Sequence, residues 1–129
     1  MIEMASEYKH LNKLGEYDYD YSNDVLFFKV KDREYSRSIE LDDLVVDIDK
    51  ENFVVGVQIF DASEFLRVSK ENLRNVRRWK MQASVDQNTL EVRLMFQTIY
   101  RNKLIEPRPI IIQQLKEPLP DSKVVATIS

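Results

Sequence analysis

Apolar and polar residues alternate with a period of two along much of this 129-residue chain, and this pattern constrains the fold more than any other feature. The alternation is clearest in residues 79–85 and 90–97, which are separated by the polar turn 86–88. Successive side chains of a β-strand point to opposite faces, so the pattern predicts strands with one buried face. The two runs and their short turn together predict an antiparallel hairpin.

Short β-rich segments separated by polar clusters fill the first half of the chain as well. The strands predicted there span residues 17–21, 25–30, 35–40, 44–49 and 53–60. Further strands are predicted over residues 110–115 and 124–128. Pro107 and Pro109 confine the start of the first of these to a sheet edge or a strand entry, because proline cannot donate to a ladder. The two β stretches share a loose plan, which leaves an internal duplication open.

A short N-terminal helix is predicted over residues 4–14. Met4, Tyr8 and Leu11 have the spacing of one helical face. Gly15 follows them, and glycine commonly ends a helix.

The main helix is predicted to begin after the strand 53–60. Asp61 and Glu64 fit a capping box, in which side chains at the helix start accept hydrogen bonds from backbone N–H groups. The helix continues to about residue 76, either unbroken or as two short helices that meet near Ser69, a residue type that caps helices. Gly56 in the preceding strand indicates a close approach to the backbone, and we expect the helix to make it.

These elements predict an α+β fold. We expect one twisted antiparallel sheet of about seven or eight strands in two meanders, with the main helix packed on one face. Residues 1–129 are expected to form a single domain, in which 17–76 are the first meander and helix and 77–129 an additional hairpin extension. Such a sheet leaves edges, and self-association would cover them, so we predict a homodimer.

The residue inventory argues against most enzyme classes. The chain has no cysteine, which excludes disulfides, thiol catalysis and thiolate metal sites, and His10 is its single histidine. We therefore predict no catalytic residues, no cofactor and no metal. The longest apolar run, 25–28, is far shorter than the roughly 20 residues that span a bilayer, and the N-terminus lacks the features of a secretory signal. We expect a cytoplasmic protein without membrane contact.

Two clusters of aspartates are candidates for chemistry, and in both a structural role is the simpler interpretation. Asp18, Asp20 and Asp24 alternate like the oxygen ligands of a hard cation. An EF-hand loop, however, needs a glycine and a closing glutamate where this chain has Asn23 and Lys29. The second cluster could supply a carboxylate pair for hydrolysis, but no nucleophile, glycine loop or histidine accompanies it. Its members are Asp42, Asp43, Asp47 and Asp49.

Charge divides unevenly along the chain. Residues 1–66 carry 7 Lys and Arg against 16 Asp and Glu, a balance of −9, and residues 67–129 carry 12 against 6, a balance of +6. The net charge is −3. Such asymmetry reflects attraction between the halves, attraction of a partner, or a chance distribution over a solvated surface.

A basic stripe is predicted if residues 67–78 form one helix, because five cations then fall within an arc of about 100°. These are Arg67, Lys70, Arg74, Arg77 and Arg78. With Trp79 and Lys80 beside it, the stripe could contact phosphates and stack on bases. A solvated helix face and an acidic protein partner are the other interpretations. The sequence pI of about 5.3 favours them, and a break at Ser69 would remove the stripe.

Three runs in the first half resemble the YuzE-like family, small bacterial and archaeal domains of unassigned function. They are DVLF at 24–27, LVVDID at 44–49 and VVGVQIFDAS at 54–63, and the resemblance covers residues 17–66. It implies an antiparallel meander followed by a helix, no established catalytic residues, and a protein partner in an antitoxin-like pair. Gln58 and Asn52 depart from the family, which more often has glutamate and glycine there.

We therefore predict a non-enzymatic interaction module that self-associates or binds a protein partner. The alternative is nucleic-acid or anion binding through the basic residues. Those are Arg67, Lys70, Arg74, Arg77, Arg78 and Lys80. A hydrolase that uses paired aspartates is the least favoured function.

Overall fold

A ten-stranded sheet curls round one apolar core in the computed structural model, which describes residues 9–128. The strands are β1 (Lys9–Asp20), β2 (Val25–Val30), β3 (Tyr35–Glu40), β4 (Leu44–Asp49), β5 (Val54–Ile59), β6 (Arg78–Asp86), β7 (Thr89–Tyr100), β8 (Lys103–Ile105), β9 (Ile110–Gln114) and β10 (Ser122–Ile128). The β-rich α+β prediction is confirmed in outline, but the sheet is larger than the seven or eight strands expected.

The strand order is β3-β4-β5-β2-β1-β10-β6-β7-β8, and β9 also pairs with β7. Strand β1 joins the two halves: residues 9–14 pair in parallel with β10, and residues 15–20 pair antiparallel with β2. The expectation of a purely antiparallel sheet is therefore wrong at one pair. The reason is that β1 and β10 are joined by most of the chain and not by a hairpin turn, so nothing forces them to run in opposite directions.

The predicted N-terminal helix is wrong over residues 9–14, which form strand, and its first part lies outside the described residues. Backbone pairing with β10 overrides the helical spacing that the sequence shows there. Gly15 lies inside the strand and does not end a helix. A Cβ atom on it would stand 3.0 Å from Cε1 of Phe28 and 3.2 Å from Cβ of Ala126, so glycine lets the Phe28 ring lie against the strand.

Aromatic packing around Trp79 ties the two halves of the sheet together. Its ring stacks on Phe96 at 4.6 Å between centroids and meets Phe28 edge-on at 5.7 Å. The Tyr17 ring lies tilted against it at 5.0 Å. Because Trp79 is only 2% exposed, the suggestion that it could stack on nucleic-acid bases is wrong. The alternating pattern of β6 turns this side chain towards the core.

The main helical segment is two short helices, α1 (Ala62–Leu66) and α2 (Lys70–Arg74), so the unbroken helix is excluded. Ser69 caps α2, since its Oγ accepts a hydrogen bond from the Asn72 N–H at 3.1 Å. Helix α2 and the residues after it lie against β1 and β7, where the Tyr17 hydroxyl donates to the Val76 carbonyl and the Thr98 hydroxyl to the Asn72 carbonyl. No helix within the described range is long and apolar enough to cross a membrane.

The capping box predicted at Asp61 does not form. Asp61 has a left-handed φ of 49° and makes no side-chain cap bond. Asp24 caps α1 instead: its carboxylate accepts from the Ser63 N–H at 3.0 Å and the Ser63 hydroxyl at 2.6 Å. The cap thus comes from the turn after β1, a long-range contact that local sequence spacing does not reveal.

Gly56 makes room for a side chain of the neighbouring strand and not for a helix. A Cβ atom there would stand 3.0 Å from Cβ of Asp47, its cross-strand partner in β4. Asp47 faces outward and accepts a hydrogen bond from the Ser38 hydroxyl at 2.7 Å. The expectation of a helix contact at Gly56 is therefore wrong.

Strands β8 and β9 pair with β7 in one continuous register and form a single margin of the sheet. Prolines interrupt it: the carbonyls of Pro107 and Pro109 accept from β7 N–H groups, but neither residue can donate in return. The prediction that these prolines mark an edge or a strand entry is confirmed. At the far end Arg101 and Asn102 have φ values of 51° and 62°, which is typical of a two-residue hairpin turn.

Candidate interaction surface

An exposed apolar stripe follows the β8–β9 margin on the outer face of the sheet. Leu104, Ile110 and Ile112 are 59%, 51% and 61% exposed. Ile99 of β7, the cross-strand partner of Leu104, is also exposed. Ile111 lies between the two exposed isoleucines, points towards the core and is 6% exposed. The side chains of β9 therefore alternate between core and solvent, and the isoleucines are apolar on both faces.

The backbone of β9 has an unpaired side, which we call the β9 edge (residues 110–114). In an antiparallel ladder, alternate residues direct both N–H and C=O towards the neighbouring strand. The Pro109 carbonyl accepts from the Leu94 N–H, and the Leu115 N–H donates to the Asn88 carbonyl. Odd-numbered residues of β9 therefore face β7, and Ile110, Ile112 and Gln114 direct their backbone groups away from it. Within residues 9–128, β9 pairs with β7 and with no other strand.

The opposite margin of the sheet, strand β3, is better protected against pairing. Its register shifts between Tyr35 and Arg37 through an irregularity, and Arg37 forms an ion pair with Glu117 of the loop after β9. Bulges and edge charges discourage strand addition. The β9 edge contains no charged residue, so it is the more open of the two margins.

The six basic residues predicted as a site do not form one stripe, because the helix breaks at Ser69. Lys70 and Arg74 remain together on α2, with Lys70 Nζ 4.8 Å and the Arg74 guanidinium carbon 4.5 Å from the Tyr21 ring centroid. Arg74 also forms an ion pair of 2.9 Å with Glu71. Arg67 lies apart from them in a left-handed conformation at the end of α1.

Arg78 and Lys80 lie on the outer face of β6, and Arg77 is exposed just before that strand. Arg78 and Lys80 line a groove of about 490 Å³ together with Arg108. Arg108 is paired with Glu106. Arg108 could not be identified from the sequence, because no regular strand pattern surrounds it. The one signal was its spacing, since it lies two residues before Ile110 and four before Ile112, which places the three side chains on one face.

The uneven charge of the sequence becomes an uneven charge of the two outer faces. Acidic side chains dominate the outer face of the β1–β5 half. They are Glu16, Asp18, Asp20, Glu40 and Asp47, with Lys29 among them. Cations dominate the outer face of the other half. They are Arg78, Lys80, Arg93, Arg108 and Lys123, with Asp86, Glu91 and Glu106 among them.

Three of the aspartates considered for metal binding or catalysis, Asp20, Asp24 and Asp49, hold turns or a cap. Asp20 accepts from the backbone and side-chain nitrogens of Asn23 at 3.1 and 2.8 Å. Asp49 is 1% exposed, pairs with Arg33 at 2.8 Å and accepts from two backbone N–H groups of its turn. Among residues 9–128, no three or more His, Asp or Glu side chains are placed to hold a metal ion.

The Asp24 carboxylate has a shifted pKa. Partial burial raises the pKa, but hydrogen bonds from Ser63 and Tyr19 stabilise the ionised form and outweigh it, so the pKa lies below its usual value. The Tyr19 pKa is raised, first by burial and then by its 2.6 Å hydrogen bond to this carboxylate. Both shifts arise from the contacts that cap α1.

Comparison with known proteins places the chain among proteins of unknown function. The family described as "Protein of unknown function (DUF2283)" matches residues 16–63. A Methanosarcina mazei protein named "Putative hypoxanthine phosphoribosyltransferase" is 32% identical over 90 residues, 70% of this chain and 73% of that protein. Residues 16–63 form a DUF2283 domain, and the chain belongs to one family with this archaeal protein. A second archaeal relative, an uncharacterised protein of Methanocaldococcus jannaschii, is 26% identical over 95 residues, 73% of this chain and 82% of that protein. No solved structure matches the chain.

The DUF2283 match runs from the second half of β1 to the start of α1, which is the acidic half of the sheet. It covers nearly the same residues as the YuzE-like resemblance, with which it is compatible. The two archaeal alignments are longer than this match, so they extend beyond the DUF2283 segment. The β9 edge lies outside residues 16–63.

Proposed function

We propose that this DUF2283 protein is a non-enzymatic interaction module that binds protein through the β9 edge. The observation that carries the proposal is the conjunction of unpaired backbone groups with exposed isoleucines on one strand. Such an edge is a template for strand addition, in which main-chain hydrogen bonds supply affinity and alternate side chains supply specificity. The cytoplasmic location and the antitoxin-like partner expected from the sequence belong to this proposal.

A matched pair of substitutions tests it. Ile110→Lys places a charge on the β9 edge, and Leu14→Lys places the same charge at an apolar residue of β1 that is somewhat more exposed. The tagged wild type should form a stable complex, with itself or with an identified protein that rebinds after purification. Ile110→Lys should lose this complex and Leu14→Lys should keep it. Full retention by Ile110→Lys would show that the β9 edge is not the contact surface.

The phosphoribosyl transfer named for the M. mazei relative is not part of the proposal. Phosphate-binding turns usually combine glycines with the start of a helix. The two glycines of this chain, Gly15 and Gly56, both lie inside strands and serve close packing.

A second candidate is binding of an anion or nucleic acid in the groove beside Arg78 and Lys80. It is favoured by the cationic outer face of the β6–β10 half and by the third cation, Arg108, which the fold adds to the predicted pair. Counterion release makes such binding weaken steeply as salt increases. A mobility shift with single-stranded DNA should therefore fall with salt and be lost in Lys80→Glu. Lys13→Glu, on β1 and outside the groove, is the matched control. DNA binding that does not change with salt, or that persists in Lys80→Glu, would exclude the groove as a nucleic-acid site.

A further inference from the structure

We infer that the partner of the β9 edge is a second copy of this chain, paired through β9 in antiparallel fashion about a twofold axis. The inference rests on the proposed function and names its partner. In a twofold arrangement the same surface of each copy meets the other, so a strand must complement itself. β9 does so, because it carries three successive isoleucines and no charge between Ile110 and Gln114.

Self-pairing would satisfy both features of the edge at once. The N–H and C=O groups of Ile110 and Ile112 that point away from β7 would become ladder bonds. The side chains of these two residues, 51% and 61% exposed, would cover their counterparts on the outer face. β-Branched residues directly opposite one another stabilise paired strands, which favours an isoleucine strand as its own partner.

Charge selects the register. Three symmetric registers, centred on Ile110, Ile111 and Ile112, bring exposed isoleucines of the two copies opposite each other. Centring on Ile110 would leave Ile112 opposite Arg108 of the second copy. Centring on Ile112 would place Arg108 opposite Lys116 of the second copy, a repulsive pair. Centring on Ile111 places Arg108 opposite Gln114 and Ile110 opposite Ile112, so the four exposed isoleucines form one apolar cluster. We assign the register centred on Ile111.

Single cysteines report this register directly, because the natural chain contains none. In the assigned register, residue 111 faces itself as a non-hydrogen-bonded pair, whose Cα atoms are about 4.5 Å apart. A disulfide spans Cα separations of roughly 4.4 to 6.8 Å, so Ile111→Cys should form a covalent dimer under mild oxidation. Ile112→Cys should not, because it lies diagonal to itself. Cross-linking of Ile112→Cys and not Ile111→Cys would overturn the register.

The oligomeric state of the full chain tests the pairing itself, by light scattering across a concentration series. The wild type and Leu14→Lys should be dimers, whereas Ile112→Lys should be a monomer with unchanged thermal stability at low concentration. Ile112→Pro is a second variant, since it removes an N–H group that points away from β7 and leaves the internal ladder intact. It too should be monomeric.

The inference and the proposed function fail in different ways. A wild type that is monomeric at every concentration overturns self-pairing. The proposed function would still hold in that case if Ile110→Lys lost a complex with a different, purified protein. A wild-type dimer that persists in both Ile112→Lys and Ile112→Pro places the dimer contact elsewhere and overturns self-pairing through β9.

Discussion

Gly15 lies where the Phe28 ring packs against β1, and the ring occupies the space that a side-chain methyl group would need. A Cβ atom there would be 3.0 Å from the ring, 3.2 Å from Ala126 and 3.3 Å from the Lys29 carbonyl oxygen. Overpacking of this kind typically costs about 1–3 kcal/mol, so Gly15→Ala should lower the free energy of unfolding by that amount. Urea denaturation measures it.

Phe28→Leu provides the control for this prediction. Removing the ring relieves the crowding, so the cost of Gly15→Ala should be smaller in the Phe28→Leu background than in the wild type. Equal costs in both backgrounds would mean that the ring is not the reason for glycine.

Asp24 makes stability depend on pH through the cap of α1. Its pKa is lowered in the folded state, so the ionised carboxylate stabilises the protein above the unfolded pKa of about 3.9. That contribution is lost as the pH falls through the folded pKa. Asp24→Asn keeps an acceptor oxygen but removes the charge, so it should cost about 1 kcal/mol at neutral pH and progressively less below about pH 4.

Asp61→Asn is the matched control, because the sequence pattern assigns the cap to Asp61 while the structure assigns it to Asp24. Asparagine tolerates the left-handed conformation of this position, so the substitution should change the unfolding free energy by less than about 0.5 kcal/mol. A larger loss at Asp61 than at Asp24 would contradict the assignment. Thermal unfolding from neutral to acidic pH measures both.

At the scale of elements, α2 is too short to be stable alone and is held on β7 by Thr98. The Thr98 hydroxyl is buried and lies 3.1 and 3.3 Å from the carbonyl oxygens of Asn72 and Asn75. Thr98→Val keeps the shape but removes the donor, and the loss of one such hydrogen bond costs about 0.5–1.5 kcal/mol. Amide hydrogen exchange should show α2 opening before the sheet unfolds.

Thr89→Val is the comparison for this prediction, since Thr89 lies on the same strand and its hydroxyl bond to Gln114 is exposed to solvent. It should leave α2 protection unchanged. Equal loss of α2 protection in both variants would show that Thr98 does not anchor the helix.

Elements with strong local signals could be predicted from the sequence. Strands β2, β3 and β4 begin and end where their alternating patterns and polar turns predicted. The first half of β1 could not be predicted, because its partner is β10, more than a hundred residues away. Strand β8 is three residues long and was missed for lack of pattern.

At the scale of the whole molecule, association adds to stability. Because only folded chains associate into the dimer, the melting temperature of a dimer rises with protein concentration. We expect such a rise in scanning calorimetry of the wild type and none in Ile112→Lys. A concentration-independent melting temperature in the wild type would agree with a monomer and contradict self-pairing.

The candidate surface was only partly visible in the sequence. The pattern at residues 110–115 and the two prolines predicted a strand that starts at a sheet edge or a strand entry. The charge count showed that the two halves of the chain differ in charge, but it left the cause open. The predicted basic stripe does not form, because the helix breaks at Ser69. Lys70 and Arg74 lie on α2, whereas Arg78 and Lys80 lie on β6.

The sequence by itself determined which residues alternate in strands, where the chain turns, and that one half is acidic and the other basic. The tertiary structure alone decided that β1 and β10 pair in parallel, that Asp24 and not Asp61 caps α1, and that Trp79 is buried. The physical reason is range. Side-chain periodicity and turn chemistry act between residues that are neighbours in the chain. Strand partners, caps from distant turns and core contacts are set only when the whole sheet packs on its core.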